Sequence, residues 1–142
     1  MKKKSLIIAV SWVAVIICMA VIFRFSAQVA TESQELSDRF AFLLQLPFGS
    51  FIVRKGAHFL EFAGLAALIF NALYQTFGFL RPVVSFIITA AYAVSDEIHQ
   101  LFVEGRACRI FDWFIDCAGA LSAILFLYLI IKLLSVKRRK LR

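Results

Sequence analysis

The chain has 142 residues, of which 62% are hydrophobic, and it carries a formal net charge of +7. Soluble domains are typically ~45–50% apolar, so this composition predicts a protein whose solvent is largely lipid and excludes an ordinary soluble enzyme. The basic residues flank apolar runs and do not form a stripe on one face of a soluble domain, which excludes nucleic acid binding.

The first apolar segment covers residues 6–23 and contains 18 residues without a charge. This is about the minimum that crosses ~30 Å of hydrocarbon as a helix. Three lysines precede the segment, as in a secretory signal peptide, but the run is long for such a peptide and no small-x-small cleavage site follows it. We therefore predict an uncleaved first helix over residues 6–25.

The connection that follows, residues 24–53, carries apolar residues at helical spacing, and a proline and a glycine come after them. The apolar residues are Leu36, Phe40, Leu43 and Leu44, and the breakers are Pro47 and Gly49. This pattern predicts a short amphipathic helix in the outer membrane interface. A plain loop with scattered apolar residues fits the pattern equally well.

Three further helices are predicted over residues 54–80, 82–103 and 110–133. The second helix contains 19 consecutive uncharged residues, 62–80, whereas the third and fourth have runs of only 14 and 15, at 82–95 and 117–131. Because a spanning helix needs ~20 residues, the last two must draw neighbouring acidic residues into the membrane. The predicted fold is therefore all-α: one polytopic membrane domain over residues 1–142, with four transmembrane helices, an outer interfacial segment and a basic C-terminal tail, 134–142.

The distribution of charge predicts the orientation of these helices. Ten of the sixteen Lys and Arg residues lie on the side of the two termini, and all nine Asp and Glu residues lie on the other side. The positive-inside rule then predicts a multi-pass protein of the cell membrane with both termini in the cytoplasm. The polar clusters of the second, third and fourth helices consequently meet at the same outer face.

On the second helix, Arg54, His58 and Glu61 follow i, i+4, i+7 spacing and share one face. Gly64 continues this stripe and is expected to allow close approach of another helix. Ionisable residues inside a membrane commonly mark function, so His58 and Glu61 are candidates for a base or ligand pair that faces the bundle. An ion pair at a helix end is the structural alternative.

The third helix ends in a polar cluster in which Asp96, His99 and Gln100 are predicted to share a face. Glu97 points about 100° away. Adjacent carboxylates repel each other, so one is expected to be protonated or to pair with Arg106. A solvated helix end is the alternative explanation.

The fourth helix opens with Asp112 and Asp116 at i, i+4 spacing, followed by Gly119 and Ala120, a small-residue surface suited to tight packing. Asp112 also suits the positive end of the helix dipole, a purely structural role. Arg106, in the turn before this helix, is suited to bind a phosphate or carboxylate through two hydrogen bonds.

The pairs His58-x-x-Glu61 and Asp96-x-x-His99 supply imidazole and carboxylate groups of the kind that bind metals in helix bundles. Neither pair matches H-E-x-x-H, and the three cysteines include no C-x-x-C pair. Four nearby cations, Arg54, Lys55, Arg106 and Arg109, offer the acids ion-pair partners instead. We therefore predict no metal, and the sequence identifies no cofactor.

Several of these stretches together resemble the VanZ-like family, which includes the teicoplanin-resistance accessory protein. The matching stretches are Phe25-Ser26-x-Gln28, Arg54-Lys55-x-Ala57-His58-Phe59-x-Glu61-Phe62, Asp96-Glu97-x-His99-Gln100 with Phe102, and Gly105-Arg106 followed by Asp112, Asp116 and Gly119. The chain departs from the family at Phe62, where Tyr is common, at Glu104, where Pro is frequent, and at Arg109, where a small polar residue is usual. The resemblance implies a four-helix membrane protein linked to reduced susceptibility to lipid-tailed glycopeptides.

Three functions remain open at this point. The protein binds membrane lipids, a lipid-linked envelope precursor or a lipoglycopeptide; or it performs acid–base chemistry on such a headgroup; or the charges form an ion-paired cap that locks the helices. The candidate acid and base groups are His58, Glu61, Asp96, Glu97, His99, Asp112 and Asp116. The candidate ligand-binding groups are Gln28, Arg54, Lys55, Gln100 and Arg106.

Overall fold

The computed structural model describes residues 2–45 and 49–140, and within them the chain forms five α-helices. These are α1 (Lys2–Ser26), α2 (Ala30–Leu43), α3 (Gly49–Phe77), α4 (Pro82–Gln100) and α5 (Ile110–Lys140). Among the described residues, α1, α3 and the Ile110–Ser135 part of α5 are long and apolar enough to cross a membrane. The all-α, multi-pass prediction is confirmed at this level. A crossing by α4, which has 19 residues, stays a prediction.

The helix boundaries differ from the predicted ones for local reasons. α3 begins at Gly49 and ends at Phe77, because Gly78 adopts a left-handed conformation with φ +80 and donates its N–H to the carbonyl of Tyr74 at 2.8 Å. Glycine is the residue that most readily ends a helix in this way. α4 ends at Gln100, three residues short of the predicted 103. The predicted C-terminal tail is helical as far as Lys140.

The connection between the first two long helices is largely helical, so the plain-loop alternative is wrong. Its helix, α2, covers Ala30–Leu43 and packs on α3. The predicted stop at Pro47 lies outside the described residues. Gly49, the other predicted breaker, begins α3 with φ +57. The location of α2 in the membrane interface stays a prediction.

Hydrogen bonds between helices fix the direction in which each helix runs. The Trp12 indole donates to Thr76 Oγ1 at 3.1 Å, so the start of α1 meets the end of α3. The Tyr92 hydroxyl donates to the Met19 carbonyl at 2.7 Å, and further along both helices the Ser26 hydroxyl donates to Asp96 at 2.7 Å, so α4 runs parallel to α1. As a result, the C-terminal ends of α1 and α4 lie beside the N-terminal ends of α3 and α5, and we call this region the polar end of the bundle.

α3 is the central helix and contacts each of the other four. Phe62, Leu65, Ala66 and Ile69 have no exposed surface and form much of its buried face. Their spacing follows the 3.6-residue period of a helix, so a continuous apolar stripe lies against the neighbouring helices. The Phe62 ring lies 6.2 Å from the Tyr92 ring, centroid to centroid, in this core.

Two glycines were predicted to allow close helix approach, and only one of them does. A Cβ atom on Gly119 would lie 2.2 Å from the backbone oxygen of Phe59, so α5 and α3 touch backbone to backbone at this crossing. Ala120, beside it, is fully buried. Gly64 is exposed, and a Cβ there would meet nothing within 4 Å, so its predicted packing role is wrong.

Candidate functional site

A cavity of about 220 Å³ lies at the polar end, between the end of α1, α2 and the start of α3. We call it the main cavity. Five predicted site residues line it: Gln28, Arg54, His58, Glu61 and Arg106. A smaller cavity of about 90 Å³, the side cavity, shares Ser33, Arg54, His58 and Arg106 with it and adds three more predicted residues, Lys55, Gln100 and Asp112. Separate segments of the chain thus converge at one place, as the sequence predicted.

α3 supplies the central wall of the main cavity. Arg54, His58 and Glu61 all face it, which the i, i+4, i+7 spacing predicted. Arg54 and Glu61 are half-buried, and neither makes a hydrogen bond or an ion pair with any residue that the structure describes. The main cavity therefore holds one cation and one acid that form no hydrogen bond or ion pair within the described part of the chain.

His58 joins the cavity to a fully buried acid on α5. Its Nδ1 atom lies 3.5 Å from Asp116 Oδ1, and Asp116 has no exposed surface. This distance exceeds the ~2.7–3.2 Å of an ordinary N–H···O hydrogen bond. Neither Asp116 oxygen has a hydrogen-bond partner among the described residues. The backbone contact at Gly119, one turn further along α5, holds the two helices close enough for this pairing.

Asp96 is buried and forms hydrogen bonds with two neighbours. Its Oδ2 atom accepts a hydrogen bond from the Ser26 hydroxyl at 2.7 Å and another from the Gln100 amide at 3.0 Å. Ser26 is only 4% exposed and lines the main cavity. Ser26 was not predicted to be a site residue, although it lies in the stretch from Phe25 to Gln28 that carries the family resemblance.

Glu97 and His99 lie apart from the main cavity. Glu97 is buried, and its Oε2 atom accepts the backbone N–H of Arg109 at 2.7 Å, so Glu97 holds the connection between α4 and α5. The predicted ion pair with Arg106 is therefore not formed by Glu97. The His99 ring stacks on Phe23 at 4.1 Å and lines neither cavity.

Asp96, His99 and Gln100 follow the i, i+3, i+4 spacing of one helix face, but His99 lies at the edge of that face and has different neighbours from the other two. At about 100° per residue, His99 lies roughly 60° to one side of Asp96, and Gln100 lies about 40° to the other. Phe23 of α1 stands on the side to which His99 points. Only Asp96 and Gln100 are directed at Ser26.

Arg106 fixes the turn between α1 and α2 and also faces both cavities. Its Nε atom donates to the Gln28 carbonyl at 2.9 Å, and its Nη2 atom donates to the Phe25 carbonyl at 3.2 Å. A cation is favourable at the carbonyl end of a helix such as α1. Burial lowers the pKa of the Arg106 guanidinium, which nonetheless stays charged in proteins.

The turn that carries Arg106 is held by a second backbone contact. Gly105 has φ +73, and a Cβ there would lie 3.0 Å from the Cβ of Ala30 at the start of α2. The Ala30 N–H donates to the Glu104 carbonyl at 3.2 Å. The α4–α5 connection is thus packed on the α1–α2 turn, which sets the position of Arg106.

Lys55 and Asp112 form an ion pair between α3 and α5, with side chains that are 15% and 10% exposed. The Lys55 ammonium also lies 5.5 Å from the centroid of the Phe51 ring. Because Lys55 has a partner within the protein, this ion pair fits a structural role for Asp112, as in the alternative of an ion-paired cap. The ion pair ties the starts of α3 and α5 together beside the side cavity.

No group of three or more His, Cys, Asp or Glu side chains is arranged to hold a metal ion in the described part of the chain. The two histidines lie apart: His58 faces Asp116 and His99 lies against Phe23. Cys18, Cys108 and Cys117 are free thiols. The arrangement is suited to holding charged or hydroxylated groups through guanidinium, imidazole and carboxylate side chains.

Comparison with known proteins supports the family resemblance seen in the sequence. A family model described as VanZ/LLP1 matches residues 11–132. No curated protein and no solved structure matches the chain. The matched range includes every residue that lines the main and side cavities. The chain therefore belongs to the VanZ/LLP1 family.

Proposed function

We propose that this protein binds the anionic headgroup of an outer-leaflet lipid or lipid-linked envelope precursor in the main cavity. We further propose that this binding lowers susceptibility to lipoglycopeptide antibiotics of the teicoplanin type, with which the family is associated by name. The observation that carries the proposal is Arg54, a half-buried cation that faces the cavity and has no hydrogen-bond or ion-pair partner among the described residues.

A partly buried guanidinium is costly unless an anion compensates it. Guanidinium groups bind phosphates and carboxylates through two parallel hydrogen bonds, which favours these groups as the compensating anion. Arg106 faces the same cavity and adds a second positive charge. Glu61, also without a partner among the described residues, is placed to accept hydrogen bonds from hydroxyl or amino groups of the same headgroup. An ion-paired cap explains Lys55 and Asp112, but it does not explain Arg54 and Glu61.

Part of the lining of the main cavity is apolar, which favours an amphiphilic ligand. Phe25, Leu36, Phe40 and Val53 line it beside the charged residues. Sites for small molecules typically combine apolar walls with a few polar groups that fix orientation. A headgroup that is still attached to its lipid matches this combination better than a free sugar or a free phosphate does.

The placement of the cavity at the outer face is supported by helix length and charge. α4 has 19 residues, about 28 Å of helix, which is close to the ~30 Å hydrocarbon thickness. Because α4 runs between the same two ends as the other long helices, we propose that it forms the fourth crossing. All nine acidic residues then lie on the side of the cavity, and the positive-inside rule puts that side outside.

The exposed surface of α2 supports an interfacial position for that helix. Phe42 is 84% exposed and Leu43 73%, and Leu44, just after the helix, is 64% exposed. Large apolar side chains with this exposure are favourable at the boundary between headgroups and acyl chains. α2 would then cover the main cavity at the depth where lipid headgroups lie.

The test compares Arg54→Gln with the control Arg39→Gln, because Arg39 is exposed on α2 and lines neither cavity. Each variant is expressed at matched membrane abundance in a teicoplanin-susceptible Gram-positive host, and the inhibitory concentrations of teicoplanin and of a glycopeptide without an acyl tail are measured. We expect wild type and Arg39→Gln to raise the teicoplanin value and Arg54→Gln to lose that effect. Full protection by Arg54→Gln would contradict the proposal.

A second candidate function, an acid–base enzyme, is favoured by the pairing of His58 with Asp116. Nδ1 of His58 faces the buried carboxylate, which leaves Nε2 as the ring nitrogen available to a ligand in the main cavity. A histidine oriented by a buried carboxylate is a common general base, and Asp116 would act as its positioning residue.

Mass spectrometry of envelope lipids distinguishes the two functions. A covalent lipid species that appears or disappears with the wild-type protein, and is restored to its original level in His58→Gln and Asp116→Asn, would support the enzyme. Unchanged lipid chemistry together with Arg54-dependent protection would support the binder.

A further inference from the structure

A groove runs along the exposed side of α1, beside the main cavity. Its volume is about 640 Å³, within the range of roughly 300–1,000 Å³ that is usual for ligand sites. Four of its lining residues, Ile17, Ala20, Val21 and Arg24, follow i, i+3, i+4, i+7 spacing and so form one face of α1. We call it the α1 groove.

The α1 groove adjoins the main cavity. Phe25 and Gln28 line both, so the two share a wall at the C-terminal end of α1. Arg24 lies at this same end of the groove, whereas Ile17 lies seven residues away, about 10 Å deeper along the helix. The groove is therefore charged where it meets the main cavity, and it is apolar at Ile17, deeper within the candidate span Lys2–Ser26.

We propose that the α1 groove holds an acyl chain of the lipid whose headgroup lies in the main cavity, so that the ligand is an anionic glycerophospholipid. The inference rests on the proposed function and narrows its ligand class. Charge complementarity supports it, because the groove and the main cavity together are lined by three cations, Arg24, Arg54 and Arg106, and two acids, Glu32 and Glu61. Shape supports it too, because the small side chain of Ala20 lines the groove together with Ile17 and Val21.

The test uses full-length protein in phosphatidylcholine nanodiscs and two probes with related headgroups. Glycerol 3-phosphate carries no chain, and myristoyl lysophosphatidylglycerol carries one. Ala20→Phe fills the groove, and Val21→Trp is a second variant in case the first fails to fold. Ala9→Phe is the matched control, because Ala9 is exposed on the same helix, 11 residues from Ala20, and does not line the groove.

We expect Ala20→Phe to weaken binding of the lysolipid several-fold, because a chain displaced from the groove into the surrounding lipid loses its close packing against the protein. Binding of glycerol 3-phosphate should not change, and Ala9→Phe should bind both probes as wild type does. Arg54→Gln should weaken binding of both probes.

The outcomes separate the groove from the headgroup site. Wild-type lysolipid binding by both groove variants, together with weakened binding by Arg54→Gln, would overturn the α1 groove and leave the headgroup site standing. Unchanged binding of both probes by Arg54→Gln would overturn the headgroup site and, with it, the inference that rests on it. A wild-type protein that binds neither probe would overturn both.

Discussion

Gly119→Ala tests the backbone contact on which the His58–Asp116 pairing depends. The new Cβ would lie 2.2 Å from the Phe59 oxygen and 3.0 Å from the Phe59 carbonyl carbon. Both atoms belong to the backbone of a central helix, so no side-chain rotation can relieve the contact. α3 and α5 must move apart, and His58 must move away from Asp116 with them.

The size of the effect follows from two opposing terms. Overpacking a well-packed interface costs about 1–3 kcal/mol, and a contact with backbone belongs at the upper end of that range. Replacing a helical glycine by alanine returns roughly 0.5–1 kcal/mol through helix propensity. We therefore expect Gly119→Ala to lower the free energy of unfolding by about 2 kcal/mol.

Gly64→Ala is the matched control, because a Cβ on this exposed helical glycine meets nothing within 4 Å. It should raise the free energy of unfolding by roughly 0.5–1 kcal/mol. The measurement is reversible unfolding of the purified protein in mixed micelles, followed by helical circular dichroism. Equal free energies of unfolding for the two variants would refute the close crossing of α3 and α5.

Two further predictions concern buried polar contacts, and both use the same unfolding assay. In a double-mutant cycle, Lys55→Met and Asp112→Asn should each lower the free energy of unfolding by about 3 kcal/mol, because each single change leaves a poorly exposed charge unpaired. The double variant should lose clearly less than the sum of the two. Strict additivity would contradict the ion pair. Ser26→Ala should cost about 1–3 kcal/mol by removing a hydrogen bond to buried Asp96. Ser122→Ala, on an exposed hydroxyl, should stay within ~0.5 kcal/mol, and an equal loss in both serine variants would argue against the Ser26–Asp96 bond.

The existence of the long helices could be predicted from apolar run length, because a chain in lipid must satisfy its backbone hydrogen bonds internally. Helix ends were less predictable. Hydropathy continues through residues 78–80, yet α3 ends at Phe77 because Gly78 adopts a left-handed conformation. Apolar character reports the solvent around a segment, and the backbone conformation of one glycine decides where the helix stops.

Which residues share a helix face was also predictable, but which helix packs against that face was not. Periodicity placed Arg54, His58 and Glu61 together, and the main cavity contains all three. The same spacing rule put Gly64 on that stripe, but a Cβ at Gly64 would meet no atom of the described residues within 4 Å. Period 3.6 specifies a direction from the helix axis, and the position of the adjacent helix depends on tertiary packing.

Contacts between residues far apart in the sequence could not be predicted from periodicity. Ser26 and Asp96 are 70 positions apart and share a hydrogen bond. The position of Arg106 depends on its hydrogen bonds to the end of α1, a contact across 78 positions with the Gln28 carbonyl. Neither pairing follows from local spacing, because each requires two helix ends to meet. Both Ser26 and Arg106 lie in the stretches that resemble the family, but a motif does not predict which residues they contact.

The distribution of partners within the polar end explains why the main cavity is the site to test. A membrane bundle favours pairing of its buried charges and polar groups. Most of the polar end follows this rule, with Lys55 on Asp112, Ser26 on Asp96, and Glu97 on a backbone N–H. Asp116 has only His58 beside it, at 3.5 Å, and Arg54 and Glu61, on one face of α3, make no hydrogen bond or ion pair with a described residue. Because the paired groups already hold the helices together, variants of Arg54 and Glu61 test the proposed ligand site most directly.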